Sequence, residues 1–169
     1  MPNHIFSKTT KLFLIFQLFL VSGCHGVESE VELHPLPVSP QNQTVVDVFG
    51  SYTCGICNHE LPELHERMVK FNQDRLNKVQ VRLFVVSGNG GSAATQTVAE
   101  NYAKDLGLTT FQPFADNRCR GQYQEYYPNQ GCYVPAHVIL TGETKRVVYP
   151  QGSVNLDKFI NDLKQAVGE

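Results

Sequence analysis

Two thiols separated by two residues, Cys54 and Cys57, are the side chains of this 169-residue chain best suited to chemistry. Thiol–disulfide exchange needs a thiolate that attacks a sulfur and a second thiol that resolves the mixed disulfide. The pair lies between two contrasting stretches. Before it, Thr44 to Gly50 (TVVDVFG) is apolar, rich in β-branched residues and closed by glycine, which predicts a buried strand. After it, Asn58 to Phe71 carries Leu61, Leu64, Met68 and Phe71 at helical spacing. The thiols therefore fall where a strand gives way to a helix. Cys54 is placed at the helix N-terminus, where free N–H groups and the macrodipole favour an anion, and the thiolate is the nucleophile. Cys54 is the expected attacker and Cys57, one turn further in, the expected resolver. Gly55 is expected to let the loop turn tightly and a partner approach.

Strand, CxxC and helix in this order are the signature of a thioredoxin-like redox site. Glu60 stands three residues after Cys57 and Pro62 five after it. With these residues the stretch resembles the TlpA/ResA branch of the thioredoxin-like proteins, the membrane-tethered extracytoplasmic thioredoxins. A second stretch, Tyr133 to Leu140, carries Val134-Pro135 ahead of an apolar run. The resemblance implies a cis bond there, facing the CxxC. Pro135 would shape the groove for a partner's backbone, with the Val134 backbone offering hydrogen bonds. It further implies an α/β thioredoxin fold, a central mixed β-sheet flanked by helices, over Thr44 to Val167. Three departures stand out: Thr53 where the family usually has tryptophan, Ile56 where proline is common, and a link from Val48 to Cys54 one residue longer than usual. Some thioredoxins carry a buried acid six residues before the first cysteine. Here that place holds Val48, and Asp47 falls on the other strand face. Glu60 has two readings, a group that moves protons or raises the thiols' pKa, and a first-turn glutamate favoured by the helix dipole.

The elements that must position these residues follow in order. Lys78 to Ser87 alternates and then turns apolar, which predicts a central strand. Gly88 to Ser92 is glycine-rich without a following Gly-Lys-Ser/Thr, and reads as a flexible connection rather than a phosphate loop. A helix is predicted over Ala93 to Leu106, with Val98, Tyr102 and Leu106 on one face, Ser92 or Ser87 leading in and Gly107 ending it. Thr109 to Ala115 is either a short strand or an extended approach. The resemblance implies a short helix within Asp116 to Cys132. Lys145 to Tyr149 is predicted as a strand beyond the turn Thr141 to Thr144, and Asn155 to Val167 as a helix with Leu156, Phe159, Ile160 and Leu163 inward, capped by Asn155 or Ser153. His59 and His65 read as solvated helix residues, and His137 as a half-buried histidine with a backbone partner.

Met1 to Lys11 holds Lys8 and Lys11 and no acidic residue. The apolar run Leu12 to Val21 is well under the ~20 residues of a membrane-spanning helix, so the two together read as an export signal. The run ends Val21-Ser22-Gly23-Cys24, which resembles a bacterial lipobox and implies a lipid on Cys24. The expected organisation is a signal peptide over 1–23, a proline-dotted tether over 24–43 with one short edge strand around Val31 to Leu33, and a thioredoxin-like domain over 44–169. Of five cysteines, lipidation removes one and leaves two pairs, Cys54 with Cys57 and Cys119 with Cys132. The second pair is expected to be a structural staple contributing roughly 3 kcal/mol, with a second redox pair or a metal-ligand role as alternatives. The formal charge of −2 and the lack of a basic block point away from nucleic acid. The expected protein is a monomer in the bacterial cell envelope, needing no cofactor. The resemblance implies that it exchanges electrons with dithiols and disulfides of exported proteins as a reductant, supplied by a membrane electron donor. Two other functions compete. One is a copper chaperone holding Cu(I) through Cys54 and Cys57, joined by Cys132 or His137. The other is a structural lipoprotein with inert disulfides.

Overall fold

The computed structural model describes residues 43–142 and 145–169. The export signal, Cys24, the tether with its edge strand, and the turn residues Glu143 and Thr144 lie outside the described residues. Strand β1 (Thr44–Gly50) is the centre of the sheet. On one side it pairs in parallel with β2 (Gln80–Val85), which pairs in parallel with β3 (Phe111–Ala115). On the other side it pairs antiparallel with β4 (Ala136–Thr141), which pairs antiparallel with β5 (Lys145–Val148). The order is β3-β2-β1-β4-β5, a mixed five-stranded sheet. The ambiguous Thr109 to Ala115 segment thus resolves as an edge strand, where Pro113 can be accommodated without an N–H.

Helices α1 (Gly55–Asn72), α2 (Gln96–Asp105) and α4 (Leu156–Ala166) contribute to one core against the sheet. Val46 and Val48 of β1, Leu83 and Val85 of β2, and Ile139 of β4 meet Leu61, Leu64 and Met68 of α1, Tyr102 of α2, and Phe159 and Leu163 of α4. Burying side chains of this size contributes about 1.5–3 kcal/mol each. Strand alternation sends Phe49, Phe84, Ala136 and Val138 to the opposite face. There they are covered by Cys119, Tyr123 and Tyr127, from the segment containing the short helix α3 (Gln122–Tyr126).

Two boundaries depart from the sequence expectation. The first helix does not: it begins at Gly55 with Cys54 as its N-cap, the helix end the sequence predicts. The second starts late and is capped by Thr95, whose hydroxyl accepts from Val98 N–H at 3.3 Å. Ser87 is engaged elsewhere, 2.5 Å from the Ser51 hydroxyl, so neither it nor Ser92 caps α2. Strand β4 begins only after Pro135. The last helix is capped as expected, Asn155 Oδ1 accepting from Lys158 N–H at 2.9 Å.

Both faces of β1 are buried, so Asp47 is buried although it lies on the face away from α1. Its carboxylate receives the Arg82 guanidinium through two bonds of 2.6 Å and the Tyr126 hydroxyl at 2.6 Å. Burial would lower the Arg82 pKa, but the Asp47 carboxylate outweighs it and holds the guanidinium above its ordinary value.

Candidate redox site

The loop between β1 and α1 is fixed before the cysteines arrive. Gly50 closes β1 where α1 passes over it, and a Cβ there would lie 2.9 Å from Leu61 Cδ1. The Ser51 hydroxyl accepts from Thr53 N–H at 3.1 Å, and Ser51 O accepts from Cys54 N–H at 3.1 Å. Tyr52 stacks at a tilt on Tyr102, centroids 4.7 Å apart, and donates to Asp105 at 2.8 Å. Tyr102 in turn donates to Asn58 Oδ1 at 2.8 Å, which anchors the first turn of α1.

Cys54 and Cys57 are joined, with Sγ atoms 2.08 Å and Cα atoms 5.2 Å apart. Cys54 Sγ receives Cys57 N–H at 3.1 Å, the helix-end contact that would face a thiolate in the reduced form. Cys54 is half-buried while Cys57 is fully buried. A partner sulfur can therefore reach only the first. Gly55 corrects the sequence reading: its φ is not positive and a Cβ would meet nothing within 4 Å, so the turn does not require glycine. It leaves open space for a partner.

The Val134–Pro135 bond is cis, as the resemblance implies. Val134 O lies 3.4 Å from Cys54 Sγ, so this loop borders the more accessible sulfur of the pair. The loop is held from behind by the Tyr123 hydroxyl, which accepts from Tyr133 N–H at 3.0 Å and from Gln151 at 2.6 Å. Pro135 O accepts from Gly152 N–H at 2.8 Å, tying the loop to the approach to α4. Ile56 and Tyr133, 56% and 65% exposed, are apolar surface at the CxxC and beside Pro135.

The second disulfide, Cys119–Cys132, is formed, with Cα atoms 5.6 Å apart. Cys119 is buried in the second core and Cys132 is exposed. The loop between them is held independently by Asp116, which accepts from Gly121 N–H at 2.6 Å and Tyr123 N–H at 2.7 Å. Burial pushes the Asp116 carboxyl up despite these bonds.

Glu60 and His137 are the largest corrections. Glu60 is not a first-turn glutamate at the helix end. It is 5% exposed and shares the buried face of α1 with Cys57 and Leu61. Its Oε2 accepts from the Ser153 hydroxyl and from Val154 N–H at 3.2 Å. His137 is fully buried rather than half-buried, and its Nε2 lies 3.1 Å from Glu60 Oε1. That contact is close enough for charge to act, but it lacks the alignment of a full hydrogen bond. Burial alone would raise the Glu60 carboxyl; His137, Ser153 and Val154 outweigh it and hold the carboxyl below its ordinary range. Ionised Glu60 thus stabilises the fold above the unfolded carboxylate range, a contribution lost as pH falls through the folded value. The sequence carries only the two phases, Glu60 with Cys57 along the helix and His137 with Ile139 along the strand; that the two meet depends on how α1 lies on β4.

His59 is exposed, as expected. His65 is half-buried, its ring edge-on to Phe111 at 5.3 Å, and burial lowers its pKa against the raising effect of Glu66. Among the described residues, no group of three His, Cys, Asp or Glu side chains is arranged to hold a metal ion. No helix among them is long and apolar enough to cross a membrane.

No protein-family model matches the chain, and no curated protein does. Solved structures do. The MTB protein DsbF, in mixed oxidized and reduced forms, superposes with a TM-score of 0.55 at 14% identity, over 75% of this chain and 82% of that one. The pneumococcal exposed lipoprotein thioredoxin of Streptococcus pneumoniae gives 0.54 at 22% identity, over 74% and 86%. A DsbF homologue from Corynebacterium diphtheriae gives 0.54 at 17%, over 74% and 73%. Together with the sheet order, the CxxC at the head of α1 and the facing cis-proline, these likenesses show that the chain has the thioredoxin fold.

Proposed function

We propose that the protein is a thiol–disulfide oxidoreductase of the TlpA/ResA type, lipid-anchored through Cys24 in the bacterial cell envelope, that reduces disulfides of exported proteins. One observation carries the redox role. The half-buried member of the pair, Cys54, is the N-cap of α1 beside the cis-proline loop, while Cys57 is wholly buried. Reduced Cys54 attacks a partner disulfide as thiolate and forms a mixed disulfide. Cys57 then attacks Cys54 Sγ, releases the partner as a thiol and closes the Cys54–Cys57 bond. A membrane electron donor restores the dithiol. Pro135 and Val134 form the edge along which the partner's backbone docks, and Ile56 and Tyr133 give it apolar contact. The Cys119–Cys132 bond serves as a staple on the loop behind that edge, and the protein works as a monomer.

The reductive direction is supported by Glu60. An ionised carboxylate beside a buried thiol opposes thiolate formation, whereas strong oxidants owe their potential to a stabilised reduced form. The anchor is supported by the Val21-Ser22-Gly23-Cys24 run and the odd cysteine. In cells, Cys24→Ser is expected to move the protein from the membrane fraction to the soluble one while the domain still exchanges disulfides. Equal solubility of wild type and variant would remove the anchor; a soluble variant without exchange activity, alongside an inactive wild type, would remove the oxidoreductase.

A further inference from the structure

The stretch from Gly131 to Pro135 belongs to no strand, since β4 begins at Ala136, yet its backbone is held on both sides of Val134. The Tyr123 hydroxyl accepts from Tyr133 N–H at 3.0 Å and from the Gln151 amide at 2.6 Å. Its own hydrogen faces Gly131 O and Tyr133 O, each 3.0 Å away. A hydroxyl has one hydrogen and two lone pairs to offer, so this one is fully used. The Gln151 amide also donates to Gly131 O at 3.1 Å, and the next residue, Gly152, gives its N–H to Pro135 O at 2.8 Å. Val134 stays outside this clamp. Among the described residues no group bonds its N–H, and its carbonyl meets only the Cys54 sulfur, at 3.4 Å.

The hydroxyl that closes the clamp is itself fixed. Tyr123 is fully buried. Its ring stands edge-on to Phe49 of β1 at 5.3 Å and lies tilted on Tyr127 at 4.8 Å. Its backbone N–H donates to the Asp116 carboxylate at 2.7 Å. Phe49 is one residue from the end of β1, the strand that leads into the CxxC loop. The strand that carries Cys54 to the surface therefore also seats the ring that holds the facing loop. The Cys119–Cys132 bond grips this loop through one side chain. The hydroxyl grips the backbone of the residues on either side of Cys132. The disulfide fastens the loop to the fold, and the hydroxyl sets the direction of the peptide groups that follow.

We propose that Tyr123, supported by Gln151, is a positioning residue that makes the site selective for disulfides carried on an extended polypeptide over small free disulfides. The proposal rests on the oxidoreductase reading given above. Tyr123 touches no reacting atom and acts through Val134. When an extended chain pairs with an unpaired backbone edge, main-chain hydrogen bonds supply the affinity. The clamp presents the Val134 N–H and C=O in one orientation beside Cys54, so a partner's backbone pairs with them as its sulfur meets Cys54 Sγ. Without the hydroxyl, the Gly131 and Tyr133 carbonyls and the Tyr133 N–H lose their shared partner, and the Val134 peptide groups lose their fixed direction. Ordering them then falls to the binding step, which weakens binding. A small disulfide has no backbone to pair and draws nothing from that order.

Two substrates with one leaving group test this. One is a symmetric aromatic disulfide that liberates a coloured thiol; the other is an unstructured peptide joined through its cysteine to the same aromatic thiol. The reduced full chain is mixed with excess of each, and the first phase, Cys54 attack, is followed against substrate concentration. Wild type is expected to prefer the peptide. In Tyr123→Phe the ratio of peptide to small-disulfide reactivity is expected to fall by about 5–10-fold, the worth of one hydrogen bond. The fall is expected in the half-saturation concentration for the peptide rather than in the limiting rate. Gln151→Ala is expected to lower the ratio in the same direction, and it decides the matter should Tyr123→Phe not fold. A ratio unchanged from wild type, whatever the absolute rates, would overturn the proposal, as would a fall carried by the limiting rate alone or a wild type without preference. A wild type that reacts with neither substrate would instead refute the oxidoreductase reading.

Discussion

Replacing Cys54 by serine is expected to reduce disulfide exchange to the uncatalysed background, while Cys57→Ser is expected to leave the first attack intact and accumulate mixed disulfides. The asymmetry follows from burial. Cys54 is half-buried at the tip of α1 and borders Val134 O, whereas Cys57 has no exposed surface. Without Cys57 the mixed disulfide has no internal resolver, so partner proteins stay attached to Cys54. Non-reducing gels of cells carrying each variant read this directly: high-mass adducts with Cys57→Ser, none with Cys54→Ser or with both replaced. Adducts that form through Cys57 in the Cys54→Ser chain would reverse the assigned roles.

The largest stability effect is expected away from the redox site, at Arg82. Arg82→Met leaves the buried Asp47 carboxylate with only the Tyr126 hydroxyl at 2.6 Å. Removing one partner of a buried ion pair costs about 3–5 kcal/mol, which in a domain of this size lowers Tm by about 10–20 °C. Replacing both members, Asp47→Leu with Arg82→Met, is expected to recover most of the loss, since a packed apolar pair carries no uncompensated charge. Calorimetry on the three variants checks the pattern. A single variant within about 1 kcal/mol of wild type would contradict it. Asp47 faces away from α1, so the exchange reaction is expected to survive in any variant that folds.

The redox stretch was legible because its chemistry is local. A β-branched run, two thiols and an amphipathic helix fix Cys54 at a helix N-terminus whatever surrounds them. The cis-proline loop was legible only by resemblance, as nothing in Tyr133 to Pro135 itself selects the isomer. Pairings between distant segments were not legible. Asp47 was assigned to the correct face, yet its burial depends on Arg82 and Tyr126, 35 and 79 residues away. The Glu60–His137 contact needs both the phase of α1 and the register of β4, where His137 pairs with Val48. Glycine at position 55 suggested a tight turn, and the helix instead begins there at ordinary backbone angles. The Thr95 cap of α2 was missed because two other hydroxyls lie upstream, one of them drawn to Ser51.

Whether electrons pass outward through Cys54 and Cys57 is read from the equilibrium reduction potential of that pair against glutathione. The measurement is made on the full chain, with the redox state of Cys54–Cys57 read by mass after acid quench and alkylation, so that the Cys119–Cys132 bond is scored separately. A reductant whose buried thiol lies beside an ionised Glu60 is expected near the thioredoxin value, about −270 mV. A value near about −120 mV, that of a strong oxidant, would contradict the reductive direction.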